Sequence, residues 1–499
     1  MTLASLWHDR HPRPSRLTTA PTLDGLTEVV VVGGGITGLT AAVLLSRSGK
    51  AVTLLEARRI GDGTTGGSTA KVSLLQGTQL SRISRRHSAE TVRKYVEANA
   101  EGQAWLARFC DEHGVATQRR PAYTYATTGS GRRAAQREVD VARAAGLPVE
   151  WLDELSLPFE TRGGARLDGQ LQVDPLELLE ALEEQARAHG VHVVEGVRVT
   201  RIRGRGPVRV ITEHGTLSAD VAVLATNMPI LDRGAFFARM APARSYALAF
   251  VTPSVSVDGM YISADQPTRS LRDAPARDGG SMLLVGGQGH TTGRGGATSA
   301  RLDILRDWTL EHFSGAVETH AWSAQDYVPA HALPFAGPVL PGTDEILMAG
   351  GYSKWGLTNG VAAALAISDR LLGGHMEWAE VFHPWRGHEL RGLPDSALVN
   401  AEVGVEMARG WLRPLLHPGT GPMPAKGAGV VRYDRLGAPT AEAAYDGEDR
   451  RVSAVCTHLG GVVTWNDAER SWDCPLHGSR FGPDGAVLEG PATCGLRAR

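Results

Sequence analysis

The chain runs to 499 residues, 42% hydrophobic and 21% charged, with a formal net charge of −2. That length holds two or three domains with a substantial core. The near-neutral balance gives no electrostatic case for nucleic acid or an anionic membrane surface, and no apolar run is long and unbroken enough to span a bilayer. Residues 1–27 read as an N-terminal extension without a signal-peptide core or twin arginines. Four cysteines are too few for a disulfide scaffold, so a cytoplasmic location is expected.

The first strong pattern is a short strand at 28–32, then Gly33-x-Gly35-x-x-Gly38 and an apolar helix over 39–48. The first glycine permits a tight turn and the second lets backbone approach a pyrophosphate. The third lets helix pack on strand while the helix N-terminus faces the negative charge. A second strand, 51–55, ends in Glu56, placed to accept hydrogen bonds from a ribose hydroxyl and ill suited to a 2′-phosphate. Together these predict a dinucleotide-binding βαβ unit. The fingerprint alone leaves NAD and FAD open.

Residues 85–113 read as a helix, with Val92, Tyr95, Val96, Ala98 and Leu106 near helical spacing. A second helix over 176–189 is entered through Asp174-Pro175, and strands follow at 192–202 and 220–225. Short apolar stretches at 245–251, 259–263 and 281–286 suit an antiparallel sheet covering a ligand. Residues 350–372 return to a glycine-rich turn opening an alanine-rich helix, and a polar, Pro/Gly-rich connection spans 414–429.

Near the C-terminus, Cys456-Thr457-His458 and Cys474-Pro475-Leu476-His477 stand fifteen residues apart. Cys-x-His with Cys-x-x-His is the ligand pattern of a Rieske [2Fe–2S] centre. Two thiolates suit one iron and two imidazoles the other, and neutral nitrogen in place of anionic sulfur raises the reduction potential. The alternative is a Cys2His2 zinc site, whose hairpins usually pair like ligands. Glu380-x-x-His383-x4-His388 copies a mononuclear-iron motif, but Pro384 and Gly387 break the helix such a motif occupies, so the spacing is read as coincidence.

Residues 28–385 resemble D-amino-acid-oxidase-like (DAO) flavoenzymes, the group of glycine oxidase, sarcosine oxidase and dimethylglycine dehydrogenase. The matches are Gly33-x-Gly35-x-x-Gly38, Glu56-Ala57-Arg58, Gly63-Thr64-Thr65, residues 223–226, and Gly350-Gly351-Tyr352 with Trp355-Gly356-Leu357-Thr358-Asn359-Gly360. The whole chain is similar to bacterial FAD-dependent oxidoreductases with a C-terminal Rieske domain. The resemblance implies FAD rather than NAD, in an α/β Rossmann-type domain with an inserted antiparallel-sheet substrate domain, followed by an all-β Rieske domain. The implied division is 28–395 for the oxidoreductase, 396–428 for a linker and 429–499 for the Rieske domain. FAD-binding parts fall at 28–80, 170–230 and 320–375, and substrate-domain parts at 85–165 and 240–315.

Carried over by resemblance, Gly33, Gly35, Ile36, Thr37, Gly38, Glu56, Ala57 and Arg58 hold the ADP half, with Val199 meeting the adenine. Thr64, Thr65 and Lys71 lie along the pyrophosphate and ring, near Ala225 and Thr226. The turn of Gly351, Tyr352, Lys354, Trp355, Gly356, Leu357 and Thr358 reaches the flavin pyrimidine edge. Gly66-Gly67-Ser68 stands where covalent relatives carry a linking histidine, so a dissociable FAD is expected. Gly461 and Leu476 stand where respiratory Rieske proteins form a disulfide. Ser479 is retained as a donor to the cluster, but Phe481 replaces a tyrosine hydroxyl, which implies a potential below the respiratory type.

Lys354 offers a cation to the reduced ring, and His290, Tyr261, Arg269 and Arg272 fall in the segment that covers the substrate face in this fold. An arginine there could clamp a carboxylate; the plain alternative is surface arginines in an arginine-rich chain. Trp322, Asp326 and Tyr327 read as packing. The implied activity is oxidation of a small amine, amino acid or related substrate, with hydride passing to flavin and single electrons passing through the cluster to a carrier protein or other acceptor. The alternatives are a reductase fed through the cluster by a ferredoxin-like donor, and a redox sensor without turnover. A cluster serving the flavin requires the Rieske module to fold back, with His458 and His477 near the flavin or a partner surface and 414–429 acting as a positioning element.

Overall fold

Four consecutive valines, Val29 to Val32, form the central strand of the chain. β-branched side chains suit a strand buried on both faces, as in a parallel sheet covered by helices. In the computed structural model, which describes residues 3–12, 23–253, 257–277, 279–413, 421–433 and 438–499, strand Leu23–Val32 runs parallel between Gly215–Leu224 and Val52–Leu55. Strands His192–Val194 and Ile346–Gly350 extend this sheet in parallel on its two sides. Helix Ile36–Arg47 packs against helices Pro175–Ala188 and Gly356–Leu371. Asp174 caps Pro175–Ala188 by accepting from the Leu176 and Glu177 amides, and Ser88 caps helix Ala89–His113 by accepting from Thr91. The segment read as one strand over 192–202 is two strands, turned about Gly196 in the left-handed region.

The second sheet has nine strands, ordered from Val317–Pro329 at one edge to Lys71–Val72 at the other. It is antiparallel except where Met260–Ser263 runs parallel to Thr117–Tyr125. Beyond it, three strands over 429–453 and four over 464–489 form two antiparallel sheets around Trp472, Phe481 and the buried cysteines. Among the described residues no helix is long and apolar enough to cross a membrane.

Two segments differ from expectation. The first half of the region read as linker, 396–412, lies within a 20-residue helix, Leu393–Leu412. Its Val403 and Met407 pack on the C-terminal core, and its Asn400 side chain donates to Ala238 O in the N-terminal domain. Part of the proposed positioning element, 414–420, lies outside the described residues. The N-terminal extension, in turn, carries a short helix, Leu6–Arg10, with Trp7 fully buried and its indole N–H donating to Ser68 O at 2.7 Å.

The seam between the N-terminal body and the C-terminal module is charged and buried. Arg244 grips Glu469 through two nitrogens and reaches Glu489 at 3.2 Å, while Arg480 contacts Glu469, Asp473 and Glu489. Burial works against charge on Glu469, but Arg244 and Arg480 outweigh it and hold its carboxyl well below the usual range. Removing one partner of a buried pair leaves an uncompensated charge, so Arg244→Ala is expected to cost about 3–5 kcal/mol in denaturant unfolding at neutral pH. The contribution of a depressed carboxylate is present above its unfolded pKa and lost below it, so the deficit should shrink as pH falls below the ordinary carboxylate range.

Candidate active site and metal centre

A cavity of about 830 Å³ runs from Arg198 and Val199 past the first glycine turn to His290 and the Gln76–Gln79 segment. At its first end the glycine fingerprint has a distinct reason at each position. Gly33 is left-handed, and an added Cβ would lie 2.7 Å from Ala225 O; one on Gly38 would lie 1.9 Å from Gly33 O. Gly38 therefore serves helix-on-strand contact, whereas Gly35 faces the cavity, where an added Cβ would meet Thr65 Oγ1 at 3.3 Å. Glu56 accepts from the Gly34 and Arg58 amides at 2.7 and 2.9 Å, and burial raises its carboxyl pKa.

Ile36, Thr37, Ala57, Arg58, Thr64, Thr65, Lys71, Val199, Ala225 and Thr226 line the cavity, as do Tyr352, Lys354, Trp355, Gly356 and Leu357. Gly38, Gly351 and Thr358 do not. Gly351 donates its amide to Asn227 Oδ1, and Thr358 accepts from the Gln76 side chain, so both support the turn from beneath. Tyr352 hydroxyl pairs with Thr37 Oγ1 at 2.9 Å, tying the second glycine turn to the first helix. Ser353 and Lys354 are non-glycine residues in the left-handed region, a conformation the surrounding bonds must hold.

At the other end, His290 and Lys354 face the cavity. Lys354 Nζ donates to Ser245 Oγ at 2.7 Å, and burial lowers its pKa. His290 stacks on Tyr246 with 5.7 Å between ring centroids, and burial brings it down to about 4, so it is neutral at physiological pH. Lys71 donates to Ser270 Oγ at 2.5 Å, and burial, then the Arg272 charge, bring it down to about 7.

Tyr261, Arg269 and Arg272 do not reach the cavity, which corrects their reading as catalytic candidates. Side chains alternate across a strand, and Tyr261 and Arg269 point to the opposite face from Ile262 and Ser270, whereas Arg272 shares the Ser270 face but is spent on backbone carbonyls away from the cavity. Tyr261 stacks on Tyr123 and donates to Asp258. Arg269 lies over the Trp308 ring, and Arg272 is buried, donating to the carbonyls of Thr69, Ala70 and Asp273.

Several residues that matter here carry no sequence signal of their own. Trp7 and Trp322 donate their indole N–H groups to Ser68 O and Gly67 O, pinning the loop that holds Thr64 and Thr65. Asp326 accepts from Asn227 and from the Tyr327 and Lys354 amides. Gln325 accepts from Thr64 Oγ1 through its carbonyl at 2.5 Å and donates through its side chain to Gly478 O at 2.9 Å. Tyr327 hydroxyl donates to Gly490 O at 3.1 Å.

The C-terminal centre brings its four expected side chains together. Cys456 and Cys474 are both buried, and the His458 and His477 rings lie 5.1 Å apart. His477 Nδ1 is buried without a partner, and burial brings its pKa down to about 4, which leaves the neutral imidazole that iron ligation needs. Ser479 is buried beside this centre, and its hydroxyl accepts from the Ala492 amide at 3.0 Å. A Cβ on Gly461 would lie 2.5 Å from Leu476 Cδ1, so the two ligand loops touch at the pair of positions that lack cysteines. Glu380, His383 and His388 do not form a group. The ligand atoms of His331, His388 and Glu389 do come within 4.8 Å, but His331 Nδ1 accepts from the Leu333 amide. That fixes the proton on Nε2, which donates to Glu389, and Arg239 also engages Glu389; the cluster is a hydrogen-bonded one.

The family profile "FAD dependent oxidoreductase" (DAO) matches residues 28–370. The chain belongs to the DAO family. The profile "Rieske [2Fe-2S] domain" matches residues 425–498 of this DAO protein. A Bacillus subtilis (strain 168) chain provisionally named Rieske 2Fe-2S iron-sulfur protein YhfW is 32% identical over 483 residues, 95% of this chain and 94% of that one. Over 49 residues, 10% of this chain and 27% of the other, it is 49% identical to a cytochrome b6-f complex iron-sulfur subunit of Nostoc punctiforme. L-proline dehydrogenase from P. horikoshii shares the fold with a TM-score of 0.62 at 18% identity, covering 73% of this chain and 98% of that one. Glycine oxidase from Geobacillus kaustophilus does so with 0.62 at 18%, covering 72% and 99%.

The DAO domain binds FAD and the Rieske domain binds a [2Fe–2S] cluster. The residues present fit both groups: a glycine cradle that a Cβ would fill and an acid at the strand end suit the dinucleotide, and two thiols with an orphaned imidazole nitrogen suit the cluster. Gly35→Val should abolish FAD retention, read as flavin absorbance after gel filtration. His477→Ala or Cys456→Ser should remove the reduced-Rieske EPR signal while leaving the flavin spectrum unchanged; a normal signal in either variant would refute the ligand assignment.

Proposed function

We propose that the protein oxidises a small amine, amino acid or related carbon centre and passes the electrons through the cluster to an external one-electron acceptor. Bound FAD accepts two electrons together and releases them singly, and a Rieske cluster moves one at a time. Gln325 carries the reading, since one residue is bonded both to the Thr64 hydroxyl in the cavity and to Gly478 O beside a cluster ligand. A cluster loop held this close to the cavity suits transfer within the molecule.

The substrate end of the cavity supports an anionic group on the substrate. Its acids are already engaged: Asp326 by amides, Glu489 by Arg244 and Arg480. Lys354 and Lys71 both line the cavity with hydroxyl groups as their hydrogen-bond acceptors, so a substrate carboxylate would give the two amines a counter-charge. Neutral His290, stacked on Tyr246, can orient a polar substrate atom without adding charge. Cysteine-free positions at Gly461 and Leu476 favour a reducing compartment.

An anaerobic screen of amines, amino acids and hydroxy acids should find a class that bleaches the flavin absorbance. The reduced-Rieske EPR signal should then appear in the same sample without any added mediator. Bleaching with no cluster signal would remove the relay, and a signal obtained only with a reduced ferredoxin-like donor would reverse its direction. Gln325→Ala should slow cluster reduction by at least tenfold while leaving the rate of flavin bleaching within about twofold, measured by stopped flow.

A further inference from the structure

The histidine edge of the cluster module is covered by the oxidoreductase domain. His458 Nε2 lies 2.8 Å from Asp232 Oδ1, 226 residues earlier in the chain. The His458 side chain is 7% exposed, and Phe237 sets its ring edge-on against both His458 and His477, at 5.7 and 5.1 Å. His458 Nδ1 is then the nitrogen left for iron, matching the unpartnered Nδ1 of His477.

We propose that Asp232 is a positioning residue for the cluster: it fixes the His458 imidazole from across the domain seam and lowers the reduction potential of the Rieske centre. Two physical effects act in the same direction. An imidazole that donates its outer N–H to a carboxylate is a stronger donor to its metal, and this favours the oxidised iron. A negative charge one ring away also disfavours adding an electron to the cluster. The couple is one electron onto the cluster, taking one iron from the ferric to the ferrous state, with no bond made or broken; the donor is the reduced flavin.

The consequence is specific to this chain. The tuning acid belongs to the FAD-binding domain rather than to the Rieske module, so the cluster has its working potential only in the docked arrangement. No positively charged side chain takes Asp232 away from His458, since the sole side-chain hydrogen bond that Asp232 makes among the described residues is this one. Arg294, on the other ligand loop, is engaged by Pro475 O and Glu402.

The proposal rests on His458 as an iron ligand, and the test separates the two. The full-length holoprotein is titrated potentiometrically, with the cluster followed by EPR and the flavin by absorbance, in wild type, Asp232→Asn and Asp232→Glu. The expected result is a positive shift of the cluster midpoint with altered g values in Asp232→Asn, return toward wild type in Asp232→Glu, and an unmoved flavin midpoint. Asp168→Asn, at the exposed Arg166 ion pair, controls for loss of a surface charge and should leave the cluster midpoint in place. Asp232→Ala gives the same reading should the amide variant fail to load its cluster. A wild-type midpoint in Asp232→Asn or Asp232→Ala, with the Rieske signal intact, overturns the proposal. Absence of a Rieske signal from the wild type itself would instead overturn the ligand assignment.

Discussion

Backbone meets backbone where the second cluster loop rests on the edge strand Val317–Pro329, and the spacing there governs how the two halves of the chain relate. Gly478 makes the approach possible, since a Cβ at that position would lie 2.5 Å from Pro242 Cβ and 2.9 Å from Gln325 Nε2. Gly293 does the same from the opposite side, against Pro475 N at 2.7 Å. Both glycines have positive φ, so the conformation and the clearance select the same residue. Once the loop is seated, Gln325 and Arg294 close hydrogen bonds to Gly478 O and Pro475 O, and the walls of the cavity acquire Leu488, Glu489 and Gly490 from the C-terminal module.

Charge then fixes the orientation that the glycines allow. A buried ion-pair network contributes little net stability compared with apolar packing of the same volume, because desolvation offsets the Coulombic gain. Its effect is geometric. Arg244 and Arg480 share Glu469 and Glu489, so any rotation of one module against the other would strand several charges away from water at once. At the rim the Asp467 carboxylate is held by uncharged donors, accepting from Thr298 and Ser299.

How much of this was legible in the sequence follows from how local each cause is. The βαβ unit and the cluster loops are set by residues within a few positions of one another, so their patterns read directly: Gly33 to Glu56, and Cys456 to His477. Asp174-Pro175 and the spacing of Val92, Tyr95 and Leu106 located two helices for the same reason. Of the catalytic candidates, His290 and Lys354 reach the cavity, while Tyr261 and Arg269 miss it because a strand shows alternate residues to opposite faces. Without the register, Arg269 could not be told from Ser270, and Arg272, on the Ser270 face, is taken up by the carbonyls of Thr69 and Ala70 about 200 residues away. Asp232, Gln325, Trp7 and Trp322 act through partners between 61 and 261 residues away, and nothing in their own neighbourhoods marks them. Helix Leu393–Leu412 was hidden by its composition: it has no fully buried residue and so no clean apolar stripe.

That helix also changes what kind of object the C-terminal module is. A Rieske head on a loose tether would work as a shuttle, visiting one site and then another at a pace set by the tether's reach. Here the chain leaves the oxidoreductase domain as a helix that touches both bodies, at Ala238 through Asn400 and at the cluster core through Val403 and Met407. Trp411 finishes the span by donating to Gly460 O in the first ligand loop. The helix therefore acts as a strut that seats the cluster core against the oxidoreductase domain, not as a tether that lets it roam.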